Sequence, residues 1–396
     1  MEKYRAIVGD RHAYRDWLDE MIGQHPELFP PAISSGYTFH DERSSSKLAD
    51  VCLRRICLKA RDSEGNKQAF TIAPSGVMPY LVGYTDDLEK ALFLRRFEVP
   101  FWALSYVFGR DDDYWYRLEN QFGRCNLVQT TVKDPAKLPS HLLADEKITW
   151  LNGAEVVVAT TVGDECVLGA AVALSADADQ LTQAYQHFKD EAQQVNPDYA
   201  PETVNTDGWA ATQRAWLTLF PLVVIIECFL HAFIRIRDRC RTLKPLLRQV
   251  AEQVWDVYHA PEAATFRQRA EARREWAQQN TSGYVLEAIL KLCAKTDRFA
   301  LAYDHPQAHR TSNMLDRHLD ALSRWLDGAR FFHGHWTSAE RSVRAWALLH
   351  NFGPYCPRSK VSQHFRSPAH KLNGFVYHQN WLHNLLIATS MSGVSP

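Results

Sequence analysis

The sequence lacks the patterns that mark several common protein classes. Its eight cysteines are scattered, with no paired Cys-x-x-Cys, so they match neither a zinc finger nor a disulfide framework and fit a reducing cytoplasm. Residues 1–17 carry charges throughout, which argues against a signal peptide. The chain has no GxxxxGK[ST], GxGxxG or GxSxG motif, which disfavours P-loop, Rossmann and α/β-hydrolase proteins.

The sequence also has no excess of one charge and no long apolar run. Its 45 Lys and Arg residues offset 46 Asp and Glu, giving a formal net charge of −1. This balance argues against a uniformly basic nucleic-acid-binding surface, although local patches can still bind phosphate. The most apolar stretch, 217–233, is interrupted by Pro221 and Glu227 and is shorter than a membrane span of roughly 20 residues. We expect no membrane association and a cytoplasmic, nucleoid-associated bacterial protein.

The chain has enough apolar residues for ordinary globular cores. Its 396 residues, 46% of them hydrophobic, predict two or three domains. We assign residues 1–85 to an N-terminal region with a β-hairpin. In this hairpin, the extended segments 52–61 and 68–72 flank a polar loop at 62–66.

Residues 86–135 have the pattern of three short helices separated by tight turns. Apolar periodicity and turn residues predict helices over 88–96, 101–108 and 114–122, an arrangement that resembles a helix-turn-helix DNA-binding unit. The third would be the recognition helix, with these candidate DNA contacts: Tyr116, Arg117, Asn120 and Arg124. The alternative is a helical connector that does not touch DNA, because the acidic segment 111–113 would repel phosphate.

Residues 136–240 predict an α/β domain. Three strand patterns open it, over 142–147, 154–162 and 166–174. A helix follows, then two strand–helix pairs, and the order βββ-α-β-α-β-α is that of a ribonuclease-H-like mixed-sheet core. Segment 241–305 is rich in Arg, Gln, Glu and Ala and predicts a helical insertion, whereas 306–396 is expected to complete the core and form a C-terminal tail.

Three aspartates stand where such a core needs carboxylates for two-metal phosphoryl transfer. Asp145 lies in the first strand among apolar neighbours, where an acid without a metal or partner is costly. The alternative for Asp145 is a turn cap, and Glu146 would point to the opposite face. Asp207 follows the fourth strand and precedes Gly208, a pattern that is also typical of a turn or helix N-cap. Asp316 lies near the start of a downstream helix.

The third acid and the neighbours of the site leave alternatives open. Asp320 and Glu340 are rivals of Asp316, which could equally be a solvated helix acid. Cys228 and His231 share a helix face directly after the fifth strand. Two ligands are too few for structural zinc, which normally takes four. We interpret them as a buried pair that packs the helix against the sheet, with His231 near the site.

Several motifs occur in a familiar order along the second half of the chain. They are Asn205-Thr-Asp-Gly-Trp209, Leu219-Phe-Pro221, Cys228-Phe-Leu-His231 and Thr311-Ser-Asn-Met-Leu-Asp-Arg317. The set resembles the Mutator-like superfamily of DDE transposases, and the segment 342–352 resembles bacterial insertion-sequence transposases. The resemblance covers residues 140–355 and is weaker in the N-terminal third.

The resemblance implies a DNA transposase that cleaves at transposon ends and joins them to target DNA. Its catalytic and metal-binding residues would be Asp145, Asp207 and Asp316, with Mg²⁺ or Mn²⁺ as cofactor. Candidate near-site residues are Cys228, His231 and Glu340. Phosphate contacts would come from Lys147 and from Arg235, Arg237 and Arg239. Double-stranded DNA would be the partner, and joining two ends implies a homo-oligomer.

The third acid departs from the family pattern, which usually has Glu where this chain has Asp316. Asp is one methylene shorter, so its carboxylate sits back by up to one C–C bond, ~1.5 Å, and its helix would have to lie closer to the sheet. A site of three aspartates and a site that uses Glu340 are both open. Also open are an inactive domesticated DNA-binding protein, a same-fold nuclease that cleaves without joining, and a structural helical scaffold.

Overall fold

The computed structural model describes residues 2–240 and 244–391, and the chain divides into two compact units. The terminal unit comprises Met1–Lys137 and Arg344–Pro396, and the central unit comprises Leu138–Val343. The predicted boundary at 136 lies close to the observed one, whereas the predicted segment 306–396 is divided between the units. The start of the predicted insertion at 241–243 and the end of the predicted tail at 392–396 lie outside the described residues.

The terminal unit contains eight complete α-helices, the C-terminal part of a ninth and a three-stranded sheet among its described residues. Its elements are α1 Glu2–Val8, α2 Arg11–Gln24, β1 Tyr37–Ser44, β2 Cys52–Arg61, β3 Lys67–Ile72, α3 Thr85–Arg95, α4 Phe101–Phe108, α5 Asp112–Asn120, α6 Leu127–Thr131, α16 Pro368–Asn373 and α17 Trp381–Ala388. The sheet has the antiparallel order β1-β2-β3, and β2 and β3 form the predicted hairpin. The Asp62 carboxylate holds the hairpin loop because it accepts hydrogen bonds from the backbone N–H groups of Glu64 and Asn66.

The three short helices predicted after residue 86 are present as α3, α4 and α5. Asp111 caps α5, since its side chain accepts a hydrogen bond from the Tyr114 N–H. Three of the four candidate DNA contacts meet neighbouring residues of the same unit: the Tyr116 ring packs on Phe101, the Arg117 Nε donates to the Asp113 carbonyl, and the Arg124 guanidinium donates to the Tyr80 hydroxyl. Asn120 is the last residue of α5. DNA binding by α5 stays a prediction.

A buried ion pair fastens α3 to α5. Arg95 and Glu119 are 4% and 3% exposed, and the guanidinium donates two hydrogen bonds to the carboxylate. A third hydrogen bond, 2.6 Å long, runs from Arg95 Nη1 to the Val99 carbonyl at the turn before α4. The pair therefore ties together all three helices and satisfies polar groups that have little access to water.

The central unit alternates strands and helices around one larger sheet. Its elements are β4 His141–Leu151, β5 Ala154–Gly163, β6 Cys166–Ala173, α7 Ala178–Val195, β7 Thr203–Thr206, α8 Ala210–Leu219, β8 Val224–Glu227, α9 Phe229–Cys240, α10 Lys244–Tyr258, α11 Ala263–Asn280, α12 Gly283–Cys293, α13 Thr296–Ala300, α14 Asn313–Gly328 and α15 Trp336–Phe352. From Arg344 onward, α15 belongs to the terminal unit. No helix among the described residues has both the length and the apolar character required to cross a bilayer.

The central sheet has five strands in the order β6-β5-β4-β7-β8. The first three strands pair antiparallel, and β4 pairs parallel with β7, as β7 does with β8. The predicted order of strands and helices is therefore confirmed, and the domain is α/β with a mixed sheet. Asn152 and Gly153 make the β4–β5 turn with positive φ angles of 50° and 82°, the geometry for which Asn-Gly is favoured in tight hairpins.

The helices α7 and α8 cover one face of this sheet through large aromatic side chains. Tyr185, Phe188 and Trp216 are fully buried, and the Trp216 ring stacks on Phe220 at a centroid distance of 5.7 Å. Gly169 in β6 permits the close approach of α7, because a Cβ there would lie 3.0 Å from the Phe188 Cβ. This packing holds α7 and α8 against one face of the sheet that contains the central strand β4.

The predicted helical insertion between β8 and α14 is present as α10–α13. These helices pack with α9 around a separate apolar core that includes Phe229, Val254 and Ile289. Phe229 joins this core to the end of β8, since its ring meets Tyr258 and Phe299 at centroid distances of 5.2 and 5.3 Å. The helices α10–α13 therefore lie next to the end of β8.

We predict that Glu119→Ala lowers the free energy of unfolding of the terminal unit by about 3–5 kcal/mol, because it leaves the Arg95 guanidinium buried and uncompensated. Urea denaturation followed by tryptophan fluorescence measures the change. The double variant Arg95→Met with Glu119→Leu should recover most of the loss. Asp41→Ala, which removes the exposed ion pair with Arg55, is the control and should cost far less. Equal losses for Glu119→Ala and Asp41→Ala would contradict the assignment.

Candidate metal centre

The candidate centre lies where β4, β7, α9 and α14 meet. Asp145 is in the central strand β4, Asp207 directly follows β7, and Asp316 is in the first turn of α14. The β4–β7 register pairs Leu143 with Asn205, so the same parallel register continued by two residues brings Asp145 level with Asp207. α14 packs against β4, which brings the third predicted acid to the same place.

Three side chains in this region have ligand atoms close enough to share a metal ion. Asp145, His231 and Asp316 each offer one such atom, and these atoms lie within 4.8 Å of one another. Among the described residues, no other group of three or more His, Cys, Asp or Glu side chains meets that distance. The His231 Nε2 is 4.0 Å from Asp316 Oδ1, inside the roughly 4.2 Å that two ligands of one Mg²⁺ ion can span at bond lengths of about 2.1 Å. The donor types therefore suit a divalent cation, which would draw together three ligand atoms that lie within 4.8 Å of one another.

Asp207 stands beside this group rather than within it. Its Oδ1 accepts a 2.7 Å hydrogen bond from the Trp209 N–H, and its Oδ2 lies 3.6 Å from Arg235 Nη2. Gly208 follows with φ +91°, and a Cβ at this position would be 3.1 Å from the Glu227 carboxylate. The Asp-Gly turn thus lets the chain pass close to β8, and Asp207 is paired with Arg235 in this conformation.

Ser312 connects the cysteine, the histidine and the third acid. Its hydroxyl lies 3.2 Å from Cys228 Sγ and from His231 Nδ1, and it is 3.2 Å from both carboxylate oxygens of Asp316, to which it donates. The Ser312 N–H also donates to Cys228 Sγ over 3.1 Å. A fully buried serine at the start of α14 therefore fixes the direction of His231 and Asp316 relative to each other.

Cys228 and His231 shift each other's protonation. The hydrogen bond to Cys228 is the main cause that raises the pKa of His231 to about 9. Burial acts to raise the pKa of the Cys228 thiol, but hydrogen bonds with His231 and Ser312 outweigh it and leave that pKa below its usual value. The contact therefore favours the protonated form of His231 and the ionised form of Cys228, each relative to the isolated side chain.

The carboxyl groups of the site are in an environment that disfavours their charge. Burial, followed by the charge of Asp207, raises the pKa of Asp145 to about 6. Burial likewise raises the pKa of Asp316, partly opposed by His231. Because burial disfavours the charge of both carboxyls and His231 offsets it only in part, a bound cation would stabilise their ionised forms.

Glu146 points to the other face of the sheet, as strand alternation predicts. Its carboxylate accepts hydrogen bonds from the Tyr185 hydroxyl of α7 and the Thr212 hydroxyl of α8. Burial is the main cause that raises the pKa of Glu146 to about 7. Glu146 therefore links β4 to the helices behind it and is not a member of the group around Asp145.

A second buried carboxylate holds the helical insertion next to the centre. Glu227, at the end of β8, is 3% exposed and receives hydrogen bonds of 2.5 Å from Lys295 and 2.6 Å from Arg298. Hydrogen bonds from these cations overcome the effect of burial, so the pKa of Glu227 is lowered. Three basic side chains therefore lie near the Asp207 turn, each next to a carboxylate: Lys295 and Arg298 beside Glu227, and Arg235 beside Asp207.

The remaining candidate residues are not members of the metal-compatible group. Lys147 is half-buried in β4, and Glu340 is half-buried in α15 and does not belong to the metal-compatible group. Asp320 is exposed one turn beyond Asp316 and acts on it only by raising its pKa. From its residue type, Ser312 is only a good helix N-cap. Its position four residues before Asp316, on the same helix face, is the signal that could have revealed its role.

Comparisons with known proteins assign no family to this chain: no family model matches it, and no curated protein matches it either. The chemistry of the site must therefore be read from its own geometry. Two carboxylates and an imidazole converge beside a third carboxylate, with basic side chains around them. Such an arrangement can bind a divalent cation and attract an anionic substrate.

We predict that Asp145→Asn stabilises the metal-free protein at pH 8 but not at pH 4. The folded-state pKa of Asp145 is about 6, above its unfolded value of 3.8, so the folded protein loses stability as pH rises through this window. Removing the charge should raise the free energy of unfolding by about 1–3 kcal/mol at pH 8. Urea denaturation in a chelator at both pH values measures the effect.

The exposed Asp198 of the same unit provides the matched control for this comparison. Asp198→Asn changes the same chemical group at a solvated position, and we expect no difference between pH 4 and pH 8. An Asp145→Asn variant that is less stable than the wild type at pH 8 would show that the site does not disfavour the carboxylate charge.

Proposed function

We propose that this protein is a metal-dependent DNA transposase that cleaves DNA at transposon ends and joins the ends to target DNA. The observation that carries the proposal is the convergence of Asp145 and Asp316, with His231, beside Asp207 at one end of the parallel pair β4–β7. Carboxylates grouped in this way are what two-metal phosphoryl transfer requires.

The sheet supports this proposal by its strand order. We infer that the central unit is a ribonuclease-H-like core, since three antiparallel strands are followed by two parallel ones in the order β6-β5-β4-β7-β8. The helices α10–α13 then correspond to the insertion that the Mutator-like resemblance implies before the third acid. α14 packs directly against β4, which suits the shorter side chain of Asp316 in place of Glu.

In the proposed reaction the acids bind Mg²⁺ or Mn²⁺, which would supply charge stabilisation for the attacking and leaving oxygens. Asp145 and Asp316 would hold the cation, and Ser312 keeps the Asp316 carboxylate in position. Asp207, which now contacts Arg235, would be a further ligand, and the Arg235 guanidinium would then be available to bind a phosphate of the DNA.

DNA binding is assigned to two regions, each within one unit. In the central unit, Lys147 and Arg235 contact backbone phosphates, which positions the strand without reading its sequence. In the terminal unit, α5 and the following turn form a helix-turn-helix-like reader of the transposon end, through Tyr116, Arg117, Asn120 and Arg124. We further propose that the protein acts in the bacterial cytoplasm as a homo-oligomer, since two ends must be joined together.

A strand-transfer assay tests the proposal. Purified protein is mixed with Mg²⁺ or Mn²⁺, a target plasmid and DNA that flanks its own gene. We expect cleaved and joined products from the wild type. Asp145→Asn, Asp207→Asn and Asp316→Asn should each reduce the rate by more than about 100-fold, because each removes a metal ligand. Asp320→Asn and Glu340→Gln are matched acid-to-amide controls that should remain active.

Each other outcome of the strand-transfer assay selects a different function. Loss of activity in Glu340→Gln but not in Asp316→Asn would move the third ligand to α15. Cleavage without joining would favour a nuclease of the same fold. DNA binding without any cleavage by the wild type would favour an inactive, domesticated DNA-binding protein, and no salt-sensitive DNA binding would favour a structural scaffold.

The salt dependence of DNA affinity tests the phosphate contacts. We predict that Lys147→Gln and Arg235→Gln each reduce the slope of log affinity against log salt concentration by about 0.9, the value for one lost phosphate contact. Fluorescence anisotropy between low and high salt measures the slope. Arg248→Gln, which changes an 84% exposed arginine of α10, is the control. Slopes equal to that of the wild type would exclude both residues as phosphate contacts.

A further inference from the structure

We propose that His231 is a metal ligand, so that the centre is a mixed imidazole–carboxylate site that selects Mn²⁺ over Mg²⁺. This inference deepens the proposed function and rests on its metal centre. The group with mutually close ligand atoms is Asp145, His231 and Asp316, which contains one imidazole nitrogen and two carboxylate oxygens. Three different elements, β4, α9 and α14, supply these ligands.

The orientation of the imidazole leaves Nε2 facing the carboxylates. The other ring nitrogen, Nδ1, is engaged with the Ser312 hydroxyl at 3.2 Å, while Nε2 lies 4.0 Å from Asp316 Oδ1. That distance is too long for a hydrogen bond but is within reach of a shared cation. The distance between Nε2 and Asp316 Oδ1 therefore suits two ligands of one cation and not a hydrogen bond between them.

Ser312 explains how the ring can present a lone pair to a cation. Its single hydroxyl proton is donated to Asp316, so the serine oxygen, with the Cys228 sulfur beside it, is available to accept a hydrogen bond from the N–H at Nδ1 of His231. His231 also hydrogen-bonds with Cys228. An imidazole that donates through Nδ1 binds metal through Nε2. A single buried serine thus orients both a nitrogen and an oxygen ligand, the role that outer hydrogen-bond partners have in metal sites.

The donor set decides which cation is preferred. Mg²⁺ prefers oxygen ligands and near-ideal octahedral geometry, and it gives up its water reluctantly. Imidazole suits first-row transition ions better, and Mn²⁺ also accepts carboxylate and water. Asp207 is turned towards Arg235 and does not belong to the close group, so an all-carboxylate site is not formed in this conformation. The structure therefore favours a cation that accepts nitrogen.

Electron paramagnetic resonance of the full chain with Mn²⁺ alone tests this proposal without any DNA substrate. We expect Mn²⁺ to bind at least about tenfold more tightly than competing Mg²⁺, a difference comparable to that made by a single well-oriented partner. Pulsed spectra should show coupling to nitrogen. Protein labelled with ¹⁵N-histidine should change that coupling from ¹⁴N to ¹⁵N, which identifies histidine as the ligand without any mutation.

Variants then assign the nitrogen to one residue. His231→Gln should lose the nitrogen coupling and at least about tenfold of the Mn²⁺ affinity, with Mg²⁺ affinity little changed. His231→Asp replaces the nitrogen by oxygen, so it should keep Mn²⁺ binding, lose the coupling and reduce the preference over Mg²⁺. The exposed His187 of α7 provides the control, and His187→Gln should keep both coupling and affinity.

The outcomes separate this inference from the proposed reaction. Mn²⁺ bound without nitrogen coupling would overturn the role of His231 and leave the transposase proposal standing. Nitrogen coupling that persists in His231→Gln would also overturn it. Nitrogen-coupled Mn²⁺ that is lost in His231→Gln supports the inference even if the strand-transfer assay finds no cleavage, in which case only the proposed reaction fails. Absence of Mn²⁺ binding would overturn the role of His231, whereas the strand-transfer assay with Mg²⁺ would still decide the proposed reaction.

Discussion

The parallel pairing of β4 with β7 is the constraint on which the rest of the centre depends. It joins the antiparallel strands β4–β6 to the parallel strands β7 and β8, and it brings Asp145 level with the turn at Asp207. Because side chains alternate along a strand, the same segment sends Asp145 to one face and Glu146 to the other. One face then receives α14 with the third acid, and the other receives α7 and α8. A shift of the β4 register by one residue would exchange the faces of these two carboxyl groups, and Asp145 would no longer face Asp316.

Much of the fold could be predicted from the sequence because its signals are local. Alternating and continuous apolar runs, the Asn152-Gly153 turn and the aspartate caps of α5 and α7 specify elements without reference to distant residues. The place of Asp145 and Asp207 at neighbouring strands follows from the strand order alone. The division of the chain into two units was harder to predict, because the terminal unit combines both ends of the sequence. No local sequence pattern indicates which distant segments pack together.

The finer geometry of the centre could not be predicted because it depends on contacts between segments far apart in the chain. Ser312 and Cys228 are 84 residues apart yet in hydrogen-bond contact, and a Cys-x-x-His pattern gives no sign of such a partner. The sequence interpretation treated Cys228 and His231 as a packing pair, with His231 near the site. Cys228 is indeed buried, but His231 is only partly so and turns its Nε2 towards the acids. Whether His231 packs against the sheet or faces the acids therefore depends on the tertiary structure.

The short third acid and the histidine are two parts of one arrangement. With Asp at 316, the carboxylate stays within 3.2 Å of the Ser312 hydroxyl one turn earlier, and the same hydroxyl holds His231. A glutamate could carry its carboxylate up to ~1.5 Å further from the helix, so it would not require the helix to lie as close to the sheet. The packing of α14 on β4 instead brings the shorter Asp316 side chain near Asp145. In the proposed centre, the close packing of α14 and the contacts of Ser312 therefore hold the aspartate and the imidazole together.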